Sequence, residues 1–379
     1  MIRVREIDME RDLVAVEELE KRVEVGSLIV DELGDPMFRI RHAPDHIMLV
    51  AEYGESKDIV GVVRACVKMV TRGRPPTSSK PAYVKVAYIL GLRVSPSHRR
   101  RGIATALVQY VETWSSCRGA AYTYMSTTAE NAPSLALFTN HRLSYSPFRR
   151  PLILAHPVHS HNLPFPSRRP IRRLSPTSAA ALYARLLPPS SAELLPLDFP
   201  SLLSHHLTLG SFLAISSSSS SFALLSVFDS TRAIRLRIAK TPSLLLRTSM
   251  AILRALDTCM PWARIPSIRD VFKPFGIYIL FGLCMSGSDG PSLLHSLCRF
   301  AHNLAMRNPA CAFVVADVGS RDPARTAVPH WRCFSSDQDV LCVKCLRGNT
   351  NIDDDDDDDD WIASPPPSDK MIFVDPREL

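Results

Sequence analysis

The chain has 379 residues, enough for two domains of the common size of roughly 150 residues each. Apolar residues make up 46% of it and charged residues 22%, a balance that is typical of globular proteins and excludes a wholly disordered chain. The 45 Lys and Arg residues exceed the 38 Asp and Glu residues, and eight of these acids form one run at 353–360. The rest of the chain is therefore strongly basic, which favours an anionic partner such as a nucleotide cofactor, a nucleic acid or an acidic protein.

The first residues are charged and lack an apolar stretch, so no secretory signal is expected. The longest apolar run, at 275–285, is too short for a membrane span of about 20 residues, and no membrane association is expected. Nine cysteines without an export signal predict reduced thiols. Cys342 and Cys345 form a lone C-x-x-C with no second pair nearby, so no metal site is expected.

The first 150 residues are predicted to form one mixed α/β domain. Alternating apolar residues predict strands at 2–7, 46–53, 59–69, 83–94 and 121–126, and apolar residues at helical spacing predict helices at 10–25, 102–115 and 132–138. The segment 26–45 contains Gly-Asp-Pro and is predicted to be a loop. The order of these elements places an antiparallel meander ahead of a strand–helix–strand unit.

Residues 151–176 are predicted to be a Pro/Arg-rich linker between two domains. The basic cluster at 168–173 could serve as a nuclear import signal or contact phosphates, although a solvated linker is the simpler interpretation.

Residues 177–346 are predicted to be a diverged copy of the first domain. A shift of 190 positions places Tyr88 on Tyr278, Leu107 on Leu297 and the strand 121–126 on 311–316. The same shift places the basic stretch 99–102 on 289–292, which carries no positive charge. We therefore expect the copy not to bind the anion that the first domain binds.

Two low-complexity runs are predicted to be connections. The serines at 216–221 predict an expanded turn between two strands, and 347–370, which includes the aspartate run, predicts a solvated acidic spacer. Residues 371–379 are predicted to dock back on the fold as a C-terminal strand.

The segment 91–107 carries the clearest functional pattern. A strand leads into a loop with Arg99, Arg100 and Arg101, and a helix opens at Gly102. The first turn of a helix has unpaired N–H groups and a partial positive charge, so it can hold an anion, and a glycine lets the ligand approach the backbone. The spacing R-x-x-G-x-A, which ends at Ala104, differs from the dinucleotide and P-loop motifs. It predicts a site for a pyrophosphate.

These residues resemble those of the GCN5-related N-acetyltransferase (GNAT) superfamily. Arg99-x-x-Gly102-x-Ala104 after L-x-V-x-P resembles the acetyl-CoA loop of that family, and 131–138, followed by Tyr145, resembles its second motif. Over nearly the whole chain, including the terminal F-V-D-P-R-E, the sequence is similar to the HOOKLESS-type N-acetyltransferases of plants.

The resemblance implies a mixed-sheet GNAT acyl-CoA N-acyltransferase fold, followed by a second, diverged GNAT-like domain. It implies acetyl-CoA as the co-substrate. It also implies a role in hormone-responsive growth and a location in the nucleus or the nucleocytoplasm.

The resemblance further implies which residues bind acetyl-CoA. Backbone groups of Leu92, Arg93 and Val94 would pair with the pantetheine amides in a gap between the strands that end at Val94 and near Ser126, and Asn131 would contact the cofactor arm. The N–H groups that would hold the pyrophosphate belong to Arg99, Arg100, Arg101, Gly102, Ile103, Ala104 and Thr105. An acceptor amine would attack the thioester directly, so positioning would supply much of the acceleration.

The general base is not assigned by the sequence. The strand 83–94 contains no Glu or Asp, where many relatives place the base, and Phe138 stands where many have a tyrosine as the acid. Glu130 is the carboxylate nearest to the expected site, but a solvated loop or capping residue is the simpler interpretation. His98 fits a place beside the phosphates better than a place at the acetyl group. Three further candidates are Tyr83, Tyr88 and Ser126.

Two functions remain open: an N-acetyltransferase acting on a protein amine, with histone lysine as one candidate, and an acetyl-CoA-binding regulatory module with little or no turnover. A nucleic-acid-binding function lacks a DNA-reading helix or an aromatic stacking platform, so no sequence-specific nucleic-acid binding is expected. The expected partner is a protein acceptor. The sequence specifies neither the acceptor nor the oligomeric state.

Overall fold

The computed structural model describes residues 2–22, 28–33, 35–55, 57–74, 82–165, 170–216, 220–238, 243–319, 322–337, 339–346, 361–362 and 371–378. The strands are β1 (Ile2–Glu6), β2 (Leu28–Leu33), β3 (Asp45–Tyr53), β4 (Asp58–Arg72), β5 (Tyr83–Val94), β6 (Tyr122–Thr128), β7 (Ser146–Arg149), β8 (Pro151–Pro157), β9 (Ile171–Leu174), β10 (Ala192–Pro196), β11 (Thr208–Ile215), β12 (Phe222–Asp229), β13 (Ile234–Ile238), β14 (Gly276–Ser286), β15 (Cys311–Gly319), β16 (Asp339–Cys345) and β17 (Met371–Ile372). The helices are α1 (Leu13–Arg22), α2 (Ile103–Cys117), α3 (Ala132–Thr139), α4 (Pro176–Leu186), α5 (Phe199–Leu203), α6 (Leu244–Cys259) and α7 (Gly290–Met306).

Two mixed sheets organise the fold. The first has the strand order β1-β3-β4-β5-β6-β16-β7, with β10 beside β4 and β17 beside β10. The second has the order β8-β15-β14-β12-β11-β9. The mixed α/β architecture, with helices packed on the sheets, agrees with the predicted fold class. No helix among the described residues is long and apolar enough to cross a membrane.

The predicted strands and helices of the first 150 residues are confirmed with small shifts at their ends, except at 26–45. That segment was predicted to be a loop, and this prediction was wrong because Leu28–Leu33 forms β2. Its partner is β13, which runs antiparallel to it and lies about two hundred residues later in the chain. A local pattern could not reveal a pairing of that range.

The predicted Pro/Arg-rich linker at 151–176 is also wrong as a description of the segment. Its first seven residues form β8, which pairs with β15 along its whole length, and Ile171–Leu174 forms β9 in the same sheet. Leu152, Leu154 and Ala155 are buried. The prolines misled the prediction because β8 is an edge strand, where a missing N–H is tolerated. Residues 168 and 169 of the basic cluster lie outside the described residues.

Each half of the chain donates a strand to the sheet of the other half. β16, from the second half, lies between β6 and β7 in the first sheet. In return β8, which directly follows β7, closes the edge of the second sheet against β15. The boundary predicted at 150 therefore lies between β7 and β8, which belong to different sheets. The second domain, predicted to end at 346, includes β16, but β16 lies in the first sheet.

The second sheet repeats the local design of the first. β5 and β6 pair in parallel from Val86↔Tyr122 to Ile89↔Met125, and β14 and β15 pair in parallel from Ile277↔Phe313 to Leu280↔Ala316. Each position in the second set lies 191 residues after its counterpart in the first. The shift of 190 predicted for these strands was thus wrong by one residue, which on a strand moves every side chain to the opposite face.

The remaining predicted connections have mixed outcomes. β11 and β12, which flank the serines at 216–221, form an antiparallel pair, and residues 217–219 of the predicted turn lie outside the described residues. The acidic run 353–360 lies outside the described residues, although Trp361, within the predicted spacer, is buried against Tyr122 and Phe148. The predicted C-terminal strand is confirmed by β17, which pairs with β10 in parallel.

Helix α2 packs on β4 through a glycine. A Cβ at Gly61 would lie 2.9 Å from Ile103 Cγ2 and 3.1 Å from Leu107 Cδ1, so only a hydrogen fits beneath the first turns of this helix. We expect Gly61→Val to push α2 off the sheet and to lower the free energy of unfolding by about 1–3 kcal/mol. Urea denaturation measures this loss. Gly290→Ala is the control because its nearest neighbour, at 3.4 Å, is an ordinary contact; an equal loss in both variants would contradict the packing argument.

Candidate active site

The central feature of the candidate site is a fork between two parallel strands. Pairing of β5 with β6 ends at Ile89↔Met125, yet β5 continues to Val94 and β6 to Thr128. A bulge opposite Val63 turns β5 at this point, where Gly91 adopts φ +62°. This left-handed conformation favours glycine, and a Cβ there would also lie 2.7 Å from Arg64 Nη1 and force that side chain to shift. Backbone groups of Leu92, Arg93 and Val94 therefore lie beyond the last rung, as the pantetheine prediction requires.

The basic loop leads from the fork into α2. After a short 3₁₀ turn at Pro96–His98, Arg100 and Gly102 both adopt left-handed conformations, with φ of +64° and +82°. Gly102 is the N-cap of α2 and offers no side chain to cap it, and a Cβ there would meet nothing within 4 Å. The N–H groups of Ile103, Ala104 and Thr105 precede the first intrahelical bond, from Ala106 N to Gly102 O. The helix thus presents an uncapped, accessible N-terminus that can hold an anion.

The three loop arginines Arg99, Arg100 and Arg101 are exposed. Arg101 Nη1 donates to the Tyr53 hydroxyl at 2.8 Å, and its guanidinium lies 5.0 Å from the centre of that ring. The His98 ring packs edge-on to the same tyrosine, with centroids 5.2 Å apart. Tyr53, at the end of β3, was not predicted to belong to the site. It holds the loop in place, and its only signal in the sequence is an aromatic residue at a strand end.

Asn131 lies beyond the end of β6, at the opposite side of the fork from the loop. It is the N-cap of α3, and its Oδ1 accepts the Ser134 N–H at 3.3 Å. Its side-chain amide is left to donate to a ligand, so its predicted contact with the cofactor arm stays a prediction.

The candidate groups for acid–base chemistry are dispersed. Glu130 and Ser126 are exposed, and Glu130 lies in the turn before α3. Phe138 is buried and packs edge-on to Tyr145, whose hydroxyl lies 3.3 Å from Thr123 Oγ1. Tyr88 lies in the body of the sheet, one rung before the fork. Its ring stacks on that of Tyr124, its register partner on β6, with centroids 4.6 Å apart.

A buried ion pair beside these tyrosines comes from a part of the chain that the sequence did not connect to the site. The closing segment (371–378) brings Glu378 against β4, where Glu378 Oε1 lies 2.5 Å from Lys68 Nζ. Burial alone would lower the pKa of Lys68, but the carboxylates of Glu378 and Asp375 outweigh it and raise that pKa. Burial likewise opposes ionisation of Glu378, but Lys68 prevails and lowers the pKa of Glu378. Both groups are therefore charged at neutral pH.

Two groups of side chains have the spacing of metal ligands: His42 with Cys66 and Glu378, and His156 with His159 and His302. In the first group, Lys68 already lies against the Glu378 carboxylate. In the second, His302 Nε2 accepts the backbone N–H of His159 at 2.9 Å. Both contacts weigh against a metal ion in these two groups. The C-x-x-C cysteines lie on β16, where Cys342 is buried and Cys345 is exposed.

The fork of the second sheet differs from the first. β14 also bulges at a glycine, Gly282, with φ +62°. The helix that follows begins at Gly290 without basic residues in its first turn, and residues 371–374 of the closing segment line the cavity beside the fork. Both features weigh against a second acyl-CoA site.

Comparisons with known proteins agree with this geometry. The model described as "Acetyltransferase (GNAT) family" matches residues 13–142. Over its whole length the chain is 52% identical to "Acetyl transferase GW6a" of Oryza sativa subsp. japonica and covers 97% of that protein. It is 40% identical to "Probable N-acetyltransferase HLS1" of Arabidopsis thaliana, with 99% of each chain covered. The fold resembles that of Saccharomyces cerevisiae N-myristoyltransferase with bound myristoyl-CoA, with a TM-score of 0.54, 12% identity, and 90% of this chain and 82% of that chain covered.

Proposed function

Because this chain belongs to the GNAT acetyltransferases, in their plant HLS1-type group, and is by that relationship an acetyl-CoA-dependent N-acetyltransferase, we propose that its acceptor is an amine of a protein. The observation that carries the proposal is the fork between β5 and β6, which leads directly into the uncapped N-terminus of α2. Together they form a slot with hydrogen-bonding edges and an anion site at one end. Histone lysine is the first acceptor to test, because lysine carries the side-chain amine of proteins.

The proposed roles of the residues follow from their positions. Leu92, Arg93 and Val94 would hold the pantetheine arm through backbone groups on the β6 side of β5, because among the described residues no strand pairs with β5 on that side beyond Ile89. The first N–H groups of α2 would hold the diphosphate, and the exposed arginines 99–101 would add charge. These contacts orient the thioester at the fork, where an amine approaching from the other face of the sheet can attack it.

The alternative function is an acetyl-CoA-binding regulatory module with little turnover. It is favoured by the exposure of Glu130 and by Phe138 at the place of the expected acid. Both functions predict cofactor binding, so only turnover separates them.

The proposed setting is the nucleus or the nucleocytoplasm, with a role in growth regulation. Its support is the similarity to the plant HLS1-type proteins and the basic character of the chain.

We expect acetyl-CoA at 100 times its Kd to stabilise the protein by about 2.7 kcal/mol, because a ligand that binds only the folded state shifts the unfolding equilibrium. Thermal denaturation with and without acetyl-CoA measures this, with free adenosine as the control ligand. Incubation with plant nuclear extract and isotopically labelled acetyl-CoA, followed by mass spectrometry, then identifies acetylated proteins. Stabilisation without any labelled product would favour the regulatory module, and the absence of stabilisation would contradict both functions.

A further inference from the structure

The face of the first sheet opposite α2 carries the tyrosine pair beside the fork. Tyr88 and Tyr124 form the rung just before the last one, and Cys66 is the register partner of Tyr88 on β4. Ile89 and Met125, on the last rung, point the other way and pack in the core that contains α2. An acceptor that approaches from the side away from the diphosphate site therefore meets the tyrosine face.

The closing segment places a carboxylate on this face. Glu378 Oε1 contacts Lys68 Nζ at 2.5 Å and Cys66 Sγ at 3.6 Å. Lys68 Nζ in turn lies 5.8 Å and 5.9 Å from the centres of the Tyr88 and Tyr124 rings. Glu378 thus lies on the same face as the tyrosine pair and is linked to it through Lys68, although it is more than three hundred residues away from Cys66 in sequence.

Glu378 is held rigidly in this position. Arg39 Nη2 donates to its backbone carbonyl at 2.8 Å, and the segment that carries it is anchored by Arg377, which binds Asp375 at 2.6 Å and Asp198 at 2.6 Å. Phe373 is buried in the apolar core upstream of it. Such an arrangement of paired charges orders a single position for the carboxylate.

The charge state of Glu378 suits the acceptance of a proton. Its described hydrogen bonds and ion pairs all use Oε1, including a contact with His42 Nε2 at 3.4 Å, so Oε2 is left for an incoming group. Its side chain is only 5% exposed, and the Lys68 ammonium holds it in the carboxylate form, which can accept a hydrogen bond or a proton.

We propose that Glu378 is the general base that β5 lacks, and this rests on the proposed N-acetyltransferase function. A neutral acceptor amine attacks the thioester carbon, and its nitrogen becomes a stronger acid as the new bond forms. The Glu378 carboxylate then accepts one proton from that nitrogen, and the carbon–sulfur bond breaks. The departing thiolate of coenzyme A takes this proton from the Glu378 carboxylic acid, which restores the carboxylate.

The test compares acetyl transfer from acetyl-CoA to poly-L-lysine and to nuclear extract by full-length variants. We expect Glu378→Gln to lower kcat by about 100-fold or more, the contribution of a general base, with the KM for acetyl-CoA unchanged. Glu378→Asp keeps a carboxylate and should retain part of the activity. Glu193→Gln is the matched control, because Glu193 is an equally buried carboxylate paired with Arg149 at 2.6 Å, and it contacts Trp361 rather than Lys68.

A double variant separates catalysis from stability. Lys68→Met with Glu378→Leu removes both charges, and such replacements of a buried pair are often neutral or stabilising. We expect normal thermal stability with kcat still reduced about 100-fold. Recovery of activity along with stability would overturn the inference and leave the pair a structural one. Native-like kcat in Glu378→Gln would overturn it while the proposed function stands, whereas a native protein that acetylates neither acceptor would overturn both.

Discussion

Gly102→Glu is expected to abolish acetyl-CoA binding. Gly102 is the N-cap of α2 and has free space around it, so a side chain there enters the anion site and displaces no protein atom. The new carboxylate would repel the diphosphate and could itself cap the N–H groups that should hold it. We expect Kd to rise by at least about 100-fold, equivalent to about 2.8 kcal/mol, in isothermal titration calorimetry.

The matched control is Gly119→Glu at the other end of the same helix. Gly119 also adopts a left-handed conformation, with φ +74°, and a Cβ there would likewise meet nothing within 4 Å. Both variants therefore carry the same backbone strain of about 1–2 kcal/mol in stability. Binding should survive in Gly119→Glu alone. Micromolar binding by Gly102→Glu would contradict the assignment of the loop.

The fragment 1–150 is expected not to fold by itself. It contains the basic loop and the fork but lacks β16, so β6 would keep only β5 as a partner and β7 would lose its described partner. Val340, Leu341, Cys342 and Val343 are all buried in the full chain, and without them the face of β6 is exposed to water. We expect no cooperative transition in urea and poor dispersion of amide signals in NMR spectra.

The control for this experiment is a full chain without residues 353–360. That deletion leaves every described strand in place, so its thermal stability should stay close to that of the parent. Addition of 151–379 as a separate chain should restore a cooperative transition to 1–150. A cooperative fold of 1–150 alone would show that the exchanged strand is dispensable.

The loop at 99–105 could be predicted from sequence because all its signals are local. A strand end, three arginines, a glycine and a helix start lie within fifteen residues. The unpaired N–H groups at a helix N-terminus then predict that this loop binds an anion. Tyr53 was missed although it lies at a predicted strand end, because nothing in a single sequence states which loop a strand end faces.

Glu378 and the exchanged strands could not be predicted in the same way. The two partners Lys68 and Glu378 are brought together by long-range contacts, among them the pairing of β17 with β10 and of β10 with β4. Alternation of apolar residues predicts that a segment is a strand but does not predict which strand it pairs with. It could therefore not show that β8 and β16 pair with strands of the opposite half of the chain. The proline content of 151–176 then favoured a linker where the chain in fact crosses from one sheet to the other.

The exchange of strands between the two sheets also has a consequence for folding during synthesis on the ribosome. Nearly 190 residues separate the end of β7 at Arg149 from the start of β16 at Asp339. β6 and β7 therefore lack the strand between them until β16 has been synthesised. At about 5–20 residues per second, that wait is roughly 10–40 seconds. During this time the unpaired edges of β6 and β7 would be accessible to chaperones and to other nascent chains.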